Sequence, residues 1–334
     1  MIFNKPGTNG VDEVHELTGT YYPNNDFAAI RPHIIDETRT IIRYIGRDAY
    51  DRAEVHYFTE EFNPDWEDDR TEDVDHTNDK LVTMVQTAVS LMAVYRYNQA
   101  NIVGHEDTGR KTKIDKDHEA LPWEWMLDRD DAAMLRRAYL AIDNLIDFLE
   151  EEEIEEWFES ENRTSVRSLF ISTCKDFERV YPIDQSARFF YELTPIIRQA
   201  QENTLPYAMT QDIYNSLLDK YIRNVAMSAG EKRLLSLVQS YLPLRTIEIA
   251  CSRLAVSVFP EGVVQRFISG GGTAGRHTSK PSADETRREY ALTIGKQADT
   301  ALDNIKRHIQ QITADQLQYP VMPNNSPNNK YFTV

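Results

Sequence analysis

The sequence predicts a mainly α-helical protein built from two tandem, diverged helical-bundle modules, and three observations point to this fold class. Apolar residues recur at helical spacing through most of the 334 residues,. Stretches that alternate in the manner of a half-buried strand are few. The second half also resembles a diverged copy of the first. We therefore predict module 1 over 30–160 and module 2 over 161–314, between an extended N-terminal arm (1–29) and a flexible C-terminal tail (315–334).

The first elements follow from composition and periodicity. Residues 1–29 are rich in Gly, Asn, Pro and Tyr, which favours an extended arm. From Ile30 onwards isoleucines recur at helical spacing, and Pro32 suits the first turn of a helix,. We expect Gly46 to end or kink this helix, because glycine readily adopts the left-handed conformation found at helix C-termini,.

The rest of module 1 alternates between loops and helices. The acidic segment 63–79 is predicted as a polar loop, and the apolar sequence of 80–100 as a strong helix. A second loop over 101–125 then leads to a long helix over 128–156.

Module 2 also alternates between helices and loops. Its helical patterns lie over 164–180, 189–204, 212–224, 230–259 and 282–313. The residues that follow are rich in Pro and Asn and hold too little apolar surface to form a core,.

The duplication is predicted from short matches that occur in the same order in both halves at similar separations. The matched pairs are Pro32 with Pro195, 48–50 with 212–214, Leu81 with Leu234, and Ala141 with Ala301. A single match of this kind could arise by chance, but four matches in the same order are hard to attribute to chance.

A glycine-bearing motif also occurs once in each half. GHEDTGRKT at 104–112 and GGGTAGRHT at 270–278 share the pattern G-x-x-x-x-G-R-[KH]-T. A phosphate-binding loop needs a preceding strand, a following helix, and a Lys and then a Ser or Thr beside the second Gly. Here a helix precedes each motif and Arg replaces Lys, so the pattern disfavours a nucleotide site. We predict a mobile loop between two helices, with a short hairpin as its only strand structure.

Both loops carry basic residues on an otherwise acidic protein of net charge −17. They form a candidate DNA-channel or inter-ring contact, at Arg110, Lys111, Lys113, Arg276 and Lys280. Such side chains can contact DNA phosphates or an acidic protein surface. A solvated loop tip explains them equally well.

The overall charge and hydropathy exclude several classes of function. An acidic protein is a poor candidate for wrapping nucleic acid, although DNA could slide past it without sticking. Apolar stretches are interrupted by charges, so we predict no membrane-spanning segment,. Cys174 and Cys251 lie in apolar helical patterns and are predicted to be buried free thiols,.

No catalytic, metal-binding or cofactor-binding motif is found, and we predict a protein that is not an enzyme. One alternative is an all-α, Mg²⁺-dependent enzyme that uses Asp68, Asp69 and Glu72, since carboxylates one turn apart can share divalent ions,. The neighbouring Pro and Asp residues favour a solvated acidic loop instead.

Two other features have competing interpretations. The acidic run 150–159 is predicted as a solvated helix end, although in a ring of many copies it could line a lumen and repel DNA,. Trp123 and Trp125 are predicted to anchor their loop to the core or to a neighbouring subunit.

These features together resemble the head–tail connector (adaptor or neck) proteins of tailed bacteriophages. The most similar segment is 234–268, a long helix followed by the turn FPEGVV at 259–264, which in that family precedes a short helix. The whole chain is also similar to a prophage-borne family of uncharacterised proteins that share IRP, DETR, YDRA, LPWEWMLDRD and FPEGV. The tandem duplication departs from the usual adaptor, which has one module.

The resemblance implies a structural virion protein with no cofactor. It would take part in head completion as a homo-oligomeric ring of about 12 copies below the portal, lining the DNA passage. Its partners would be the portal, other neck or tail proteins and, transiently and without sequence preference, passing DNA. It would reside in the virion neck, and in the host bacterial cytoplasm during assembly, with no membrane contact.

The resemblance also implies a role for the tail, which would order on binding the portal. The candidate portal-binding residues are Tyr319, Pro320, Val321, Met322, Tyr331 and Phe332. A helical interaction protein of the host, with no place in the virion, is the remaining alternative.

Overall fold

The computed structural model describes residues 1–66, 74–102, 104–106, 109–111, 123–253, 256–259, 262–265 and 284–316. These residues are mainly α-helical, which confirms the predicted fold class at that level. The chain folds into two compact units. Unit 1 contains Met1–Arg167 and Ile183–Thr194, and unit 2 is built mainly from Ser168–Pro182, Pro195–Arg266 and the last helix. The units therefore interleave along the chain, whereas the two predicted modules follow one another.

The prediction of an extended N-terminal arm is wrong, because these residues fold into unit 1. Helix α1 (Gly10–Thr18) begins after Asn9, whose side chain accepts a hydrogen bond from the amide of Val11,. Ile2 and Phe3 are buried, and the carbonyl of Ile2 accepts a 2.6 Å hydrogen bond from Gln86. The buried apolar residues are spread thinly among Gly, Asn and Pro, so composition concealed them.

Helix α2 (Phe27–Ile45) begins three residues before the predicted start, because Asp26 caps it by accepting from the amide of Ala28,. It ends at Gly46 as predicted. Gly46 has a φ of 90°, in the region that glycine reaches without strain, and helix α3 (Arg47–Tyr57) begins directly after it,.

Helix α4 (Thr77–Asn101) is the centre of unit 1, with α1, α2, α3 and α5 packed around it. Its middle is apolar on nearly every side, as expected for a helix surrounded by others,. Strands β1 (Gly104–Glu106) and β2 (Gly109–Lys111) form a short antiparallel hairpin before helix α5 (Glu124–Glu151) and the single turn α6 (Glu155–Phe158).

The single helix predicted over 164–180 is wrong. The chain forms two short helices, α7 (Glu161–Val166) and α8 (Cys174–Glu178), separated by a non-helical stretch. Side chains that are distant in the sequence satisfy the backbone groups of Phe170 in that stretch. Gln201 accepts from the amide of Phe170 at 2.9 Å, and Gln239 donates to the carbonyl of Phe170 at 3.0 Å. These bonds replace the internal hydrogen bonds of a helix.

Four further helices and a second hairpin follow. They are α9 (Ala187–Met209), α10 (Gln211–Ile222), α11 (Ala229–Arg253), β3 (Val256–Phe259) paired with β4 (Gly262–Gln265), and α12 (Asp284–Gln316). The helix predicted over 230–259 thus ends at Arg253. The residues after the FPEG turn form a strand, where the resemblance implied a short helix.

Helices α11 and α12 pack antiparallel along most of their length. Arg245 donates to Asp299 at 2.5 Å, and near the other end His308 lies 2.9 Å from the carbonyl of Gly230. Helices α4 and α5 are also antiparallel, since Asn98 near the end of α4 donates to the sulfur of Met134 near the start of α5, at 3.6 Å.

The order of elements is the same in both halves of the chain. Helices α2, α3 and α4, a hairpin and α5 are matched by α9, α10 and α11, a hairpin and α12. The glycine-bearing motifs do not follow this order, because 104–112 overlaps the first hairpin whereas 270–278 comes after β4. The motif was therefore a poorer guide to the repeated order than the helices.

Candidate binding sites in the two units

Most of the residues that the sequence singled out lie outside the described residues. Of the basic loop residues, Arg110 and Lys111 lie on β2, paired with His105 and Gly104. The other basic loop residues, the acidic cluster and the candidate portal-binding residues of the tail all lie outside the described residues. These are Lys113, Arg276, Lys280, Asp68, Asp69, Glu72, Tyr319, Pro320, Val321, Met322, Tyr331 and Phe332.

Three smaller expectations need correction. Trp123 is 71% exposed and does not anchor its loop to the core; contact with a neighbouring subunit remains a prediction for it. Neither Cys174 nor Cys251 is in a disulfide, and both are partly exposed where the sequence predicted burial. In the acidic run, Glu150 accepts from the Trp157 indole at 2.9 Å, so this carboxylate is structural. The chain reverses at Glu153, with a φ of 50°, and this turn brings the two side chains together.

Unit 1 contains a polar cavity of about 520 Å³ between α3, the start of α4 and α6. Its lining residues are Asp48, Asp51, Arg52, Val55, His56, Thr59, Asn78 and Glu156. Arg52 organises the cavity, since it donates to Asn78 at 2.9 Å and to Glu156 at 3.0 Å. These two bonds join three separate elements through one guanidinium.

Behind this cavity Asp79 bridges two histidines. His56 Nε2 lies 2.7 Å from Oδ1 of Asp79, and His76 Nδ1 lies 3.0 Å from Oδ2. The amide of Asn63 donates to the same carboxylate at 3.0 Å. Because a carboxylate only accepts, both of these ring nitrogens carry the proton. Burial opposes ionisation of Asp79, but the hydrogen bonds from His76, His56 and Asn63 outweigh it and lower its pKa,.

Sequence reasoning missed this cluster. The histidines show none of the spacings that are typical of zinc motifs, and His56 is 23 residues from Asp79 in the chain,. The one local signal is the spacing of His76 and Asp79, which are three residues apart at a helix start,. Among the described residues, no group of three or more His, Cys, Asp or Glu side chains is arranged to hold a metal ion.

Unit 2 contains a groove, also of about 520 Å³, between α10, the start of α11 and the end of α12, and more of its lining residues are aliphatic. Its lining residues are Asp212, Ile213, Ser216, Leu217, Ser228, Gly230, Glu231, Leu234, Ile309 and Ile312. At its rim, Glu231 accepts from Lys220 at 2.5 Å and from the amide of Ser228 at 2.8 Å. These bonds, above all the one from Lys220, lower the pKa of Glu231 and keep it ionised at neutral pH,.

The two sites occupy corresponding places in the repeated order of elements. Each lies beside the second helix and the start of the third; the unit 2 groove is also lined by the end of α12, whereas α6 supplies Glu156 to the unit 1 cavity. The difference lies after the fourth helix: in unit 1 the chain turns and α6 packs on α3 and α5, whereas α12 continues straight to Gln316.

No described helix has the length and apolar character that a membrane crossing requires. Comparison of the chain with protein-family models, with curated protein sequences and with solved structures found no match.

Proposed function

We propose that the chain is a structural subunit of a bacteriophage head–tail connector, formed by two tandem modules and assembled as a ring below the portal. The observation that carries the proposal is the repeated order of three helices, a hairpin and a fourth helix. Each hairpin lies at one end of a long antiparallel helix pair. Each unit thus presents a loop from a rigid helical support, which suits a scaffold more than a catalyst.

Exposed apolar residues at the base of the first hairpin support a role in assembly. Ile102 at the end of α4 is 52% exposed, and Trp123 and Met126 at the start of α5 are 71% and 43% exposed. Exposed large apolar side chains of this kind are typical of protein–protein contacts. In a closed ring this surface would meet a different surface of the next copy.

The charge distribution supports passage of DNA with low friction. A net charge of −17 repels phosphates over most of the surface,. Both glycine-bearing motifs carry basic residues, and Arg110 and Lys111 of the first lie on β2. Such loops would touch DNA or the next ring while the acidic remainder keeps friction low. Replacing Arg110, Lys111, Arg276 and Lys280 should then reduce DNA retention in assembled particles, and normal retention would contradict this role for the loops.

Electron microscopy of the full chain mixed with a phage portal protein tests the proposal. Class averages with an added ring layer would support it and would give the symmetry. Protein that stays unbound while the portal ring is intact would overturn it, in favour of a host interaction protein. The charge substitution Trp123→Asp should abolish ring formation, whereas Leu140→Asp, at a 57% exposed position within α5, is the matched control.

The tail has its own test. Deleting 315–334 should abolish portal binding while the helical circular dichroism signal is kept. Unchanged binding would contradict a portal contact by the tail and leave the ring proposal standing.

A further inference from the structure

Val55 and Leu292 are the two most exposed large aliphatic side chains among the described residues, at 69% and 65%. Val55 lies on α3 in unit 1, and Leu292 lies on α12 in unit 2. A single exposed aliphatic residue is ordinary in a folded protein. Each of these two, however, lies in a row of charged residues on its own helix, and the two rows carry opposite charge.

The row on α3 is acidic. Residues three or four apart on a helix share a face, so Asp48, Asp51 and Val55 form one row, and all three line the unit 1 cavity,. Asp48 forms no ion pair with another described residue. Asp51 pairs with Arg47 at 2.9 Å, but both side chains are exposed, so water screens this pair and leaves it open to exchange,.

The cavity beside this row adds to its negative charge. Three carboxylates and one guanidinium line it. That guanidinium, of Arg52, is already bound to Glu156 at 3.0 Å and to Asn78 at 2.9 Å. A partner that covers the row would therefore meet a surface of net negative charge.

The row on α12 is basic. Arg288, Leu292 and Lys296 follow one another at intervals of four residues and so share a face,. Both cations belong to exposed residues, and neither forms an ion pair with another described residue. Of the carboxylates on nearby turns, Glu289 lies beside the row, and Asp299 already accepts from an arginine of α11 at 2.5 Å.

We propose that these two rows pack against each other between neighbouring copies of the chain, with Val55 of one copy against Leu292 of the next. The pairing rests on the proposed ring, because a closed ring joins two different surfaces of each copy. Contact would remove both aliphatic side chains from water. The carboxylates of α3 would then face the cations of α12, and a guanidinium can bind a carboxylate through two parallel hydrogen bonds.

The spacing of the charges matches along the two helices. Four residues of an α-helix rise about 6 Å, so Asp51 lies about 6 Å from Val55, and one cation lies about 6 Å to either side of Leu292. With Val55 opposite Leu292, one cation is level with Asp51 whether the helices run parallel or antiparallel. The other is level with Thr59, which is neutral and also lines the cavity, so no like charges meet.

Disulfide cross-linking between singly substituted full-length chains tests the pairing. In a background of Cys174→Ser and Cys251→Ser, chains with Val55→Cys are mixed with chains with Leu292→Cys, so a mixed dimer reports contact between copies. Under mild oxidation we expect the mixed dimer to form roughly tenfold faster than in a control mixture of Leu140→Cys with Leu292→Cys. Leu140 is 57% exposed on α5. Equal rates in the two mixtures would overturn the pairing.

Charge reversal gives a second readout on the same cross-link. Asp51→Lys in the Val55→Cys chain should slow mixed cross-linking roughly fivefold, and Arg288→Glu with Lys296→Glu in the other chain should restore the rate. Asp36→Lys is the matched control, because Asp36 is also exposed on a helix and paired with an arginine; it should leave the rate unchanged. A loss that the reversed α12 row does not restore would contradict the charge pairing.

These rates are measured without portal, which separates the pairing from the connector function. A ring layer on the portal together with equal cross-linking rates would overturn the pairing alone. Fast mixed cross-linking in a protein that does not bind the portal would support the pairing and overturn the connector proposal.

Discussion

The Nε2 atom of His56 lies 2.7 Å from Oδ1 of Asp79, and this contact joins α3 to the start of α4 at the back of the unit 1 cavity. The other carboxylate oxygen of Asp79 accepts from His76 at 3.0 Å. One buried carboxylate thus orients two imidazoles that are 20 residues apart in the sequence. The cluster fixes how α4 begins, and with it the central helix of the unit.

Replacing Asp79 should destabilise the protein, in a pH-dependent manner. Asp79→Ala leaves two imidazole donors and the Asn63 amide without their acceptor, which we expect to cost about 3 kcal/mol of unfolding free energy at pH 7,. Since the pKa of Asp79 is lowered in the folded state, its contribution is present above the unfolded pKa of about 3.9 and is lost as pH falls through the folded value,.

Urea unfolding of wild type and Asp79→Ala between pH 7 and pH 3 checks this prediction. The difference in unfolding free energy between wild type and Asp79→Ala should have its full value at pH 5 and should shrink towards pH 3. Asp36→Ala is the control, because its pair with Arg39 is 70% exposed on both sides,. A difference that grows with acidity would contradict the stated origin.

Gly46 should tolerate no side chain. Its φ of 90° is strained for other residues, and a Cβ atom there would lie 2.9 Å from Cβ of Ser160. We expect Gly46→Ala to cost about 2 kcal/mol, measured by chemical unfolding. Gly230→Ala is the matched control, because its Cβ would meet Ile312 at an ordinary 3.5 Å in a helix,. Equal effects of the two substitutions would exclude backbone conformation as the cause.

Truncation of Trp157 should reduce the free energy of unfolding far more than truncation of Trp123. Trp157 is fully buried and donates to Glu150 at 2.9 Å, whereas Trp123 is 71% exposed. Trp157→Ala is expected to cost about 4 kcal/mol, and Trp123→Ala less than about 0.5 kcal/mol. Thermal unfolding of both variants checks this. A large loss for Trp123→Ala in the monomer would mean that its contacts lie within the chain.

Gln201 should stabilise unit 2 through three hydrogen bonds of its side chain. Its side chain accepts from the Phe170 amide and donates to the Ser168 carbonyl, both at 2.9 Å, and also donates to the Tyr214 hydroxyl at 3.0 Å. Gln201→Leu is nearly isosteric but leaves buried partners unsatisfied, so we expect a loss of about 3 kcal/mol. Hydrogen exchange should be faster at the Phe170 amide. Gln211→Leu, at an exposed position on α10, should change neither quantity.

A thermal-shift series with Mg²⁺ separates the connector proposal from the Mg²⁺-dependent enzyme. A specific site stabilises the folded state by about 2.7 kcal/mol at a hundredfold excess over Kd. We expect no shift beyond that of a monovalent salt at equal ionic strength. A saturable shift that disappears in Asp68→Asn with Asp69→Asn would instead support the enzyme.

Local sequence was sufficient for elements whose own residues satisfy their backbone. The long helices α4, α5 and α11, the break at Gly46 and the mainly helical class follow from periodicity and glycine chemistry. Matched segments predicted a duplication, which stays a prediction; the described elements do occur in the same order in both halves. Helix hydrogen bonds join residues four apart, so a short window contains most of what decides them.

Only the tertiary structure decided the rest, because the deciding contacts span long stretches of chain. Phe170 is kept out of a helix by Gln201 and Gln239, and Ile2 is held in the core by Gln86. The Asp79 cluster exists because α3 packs on α4, and the groove of unit 2 because α10, α11 and α12 meet. A sequence pattern carries no record of such distant partners, since any polar side chain at the right point in space could supply the bond.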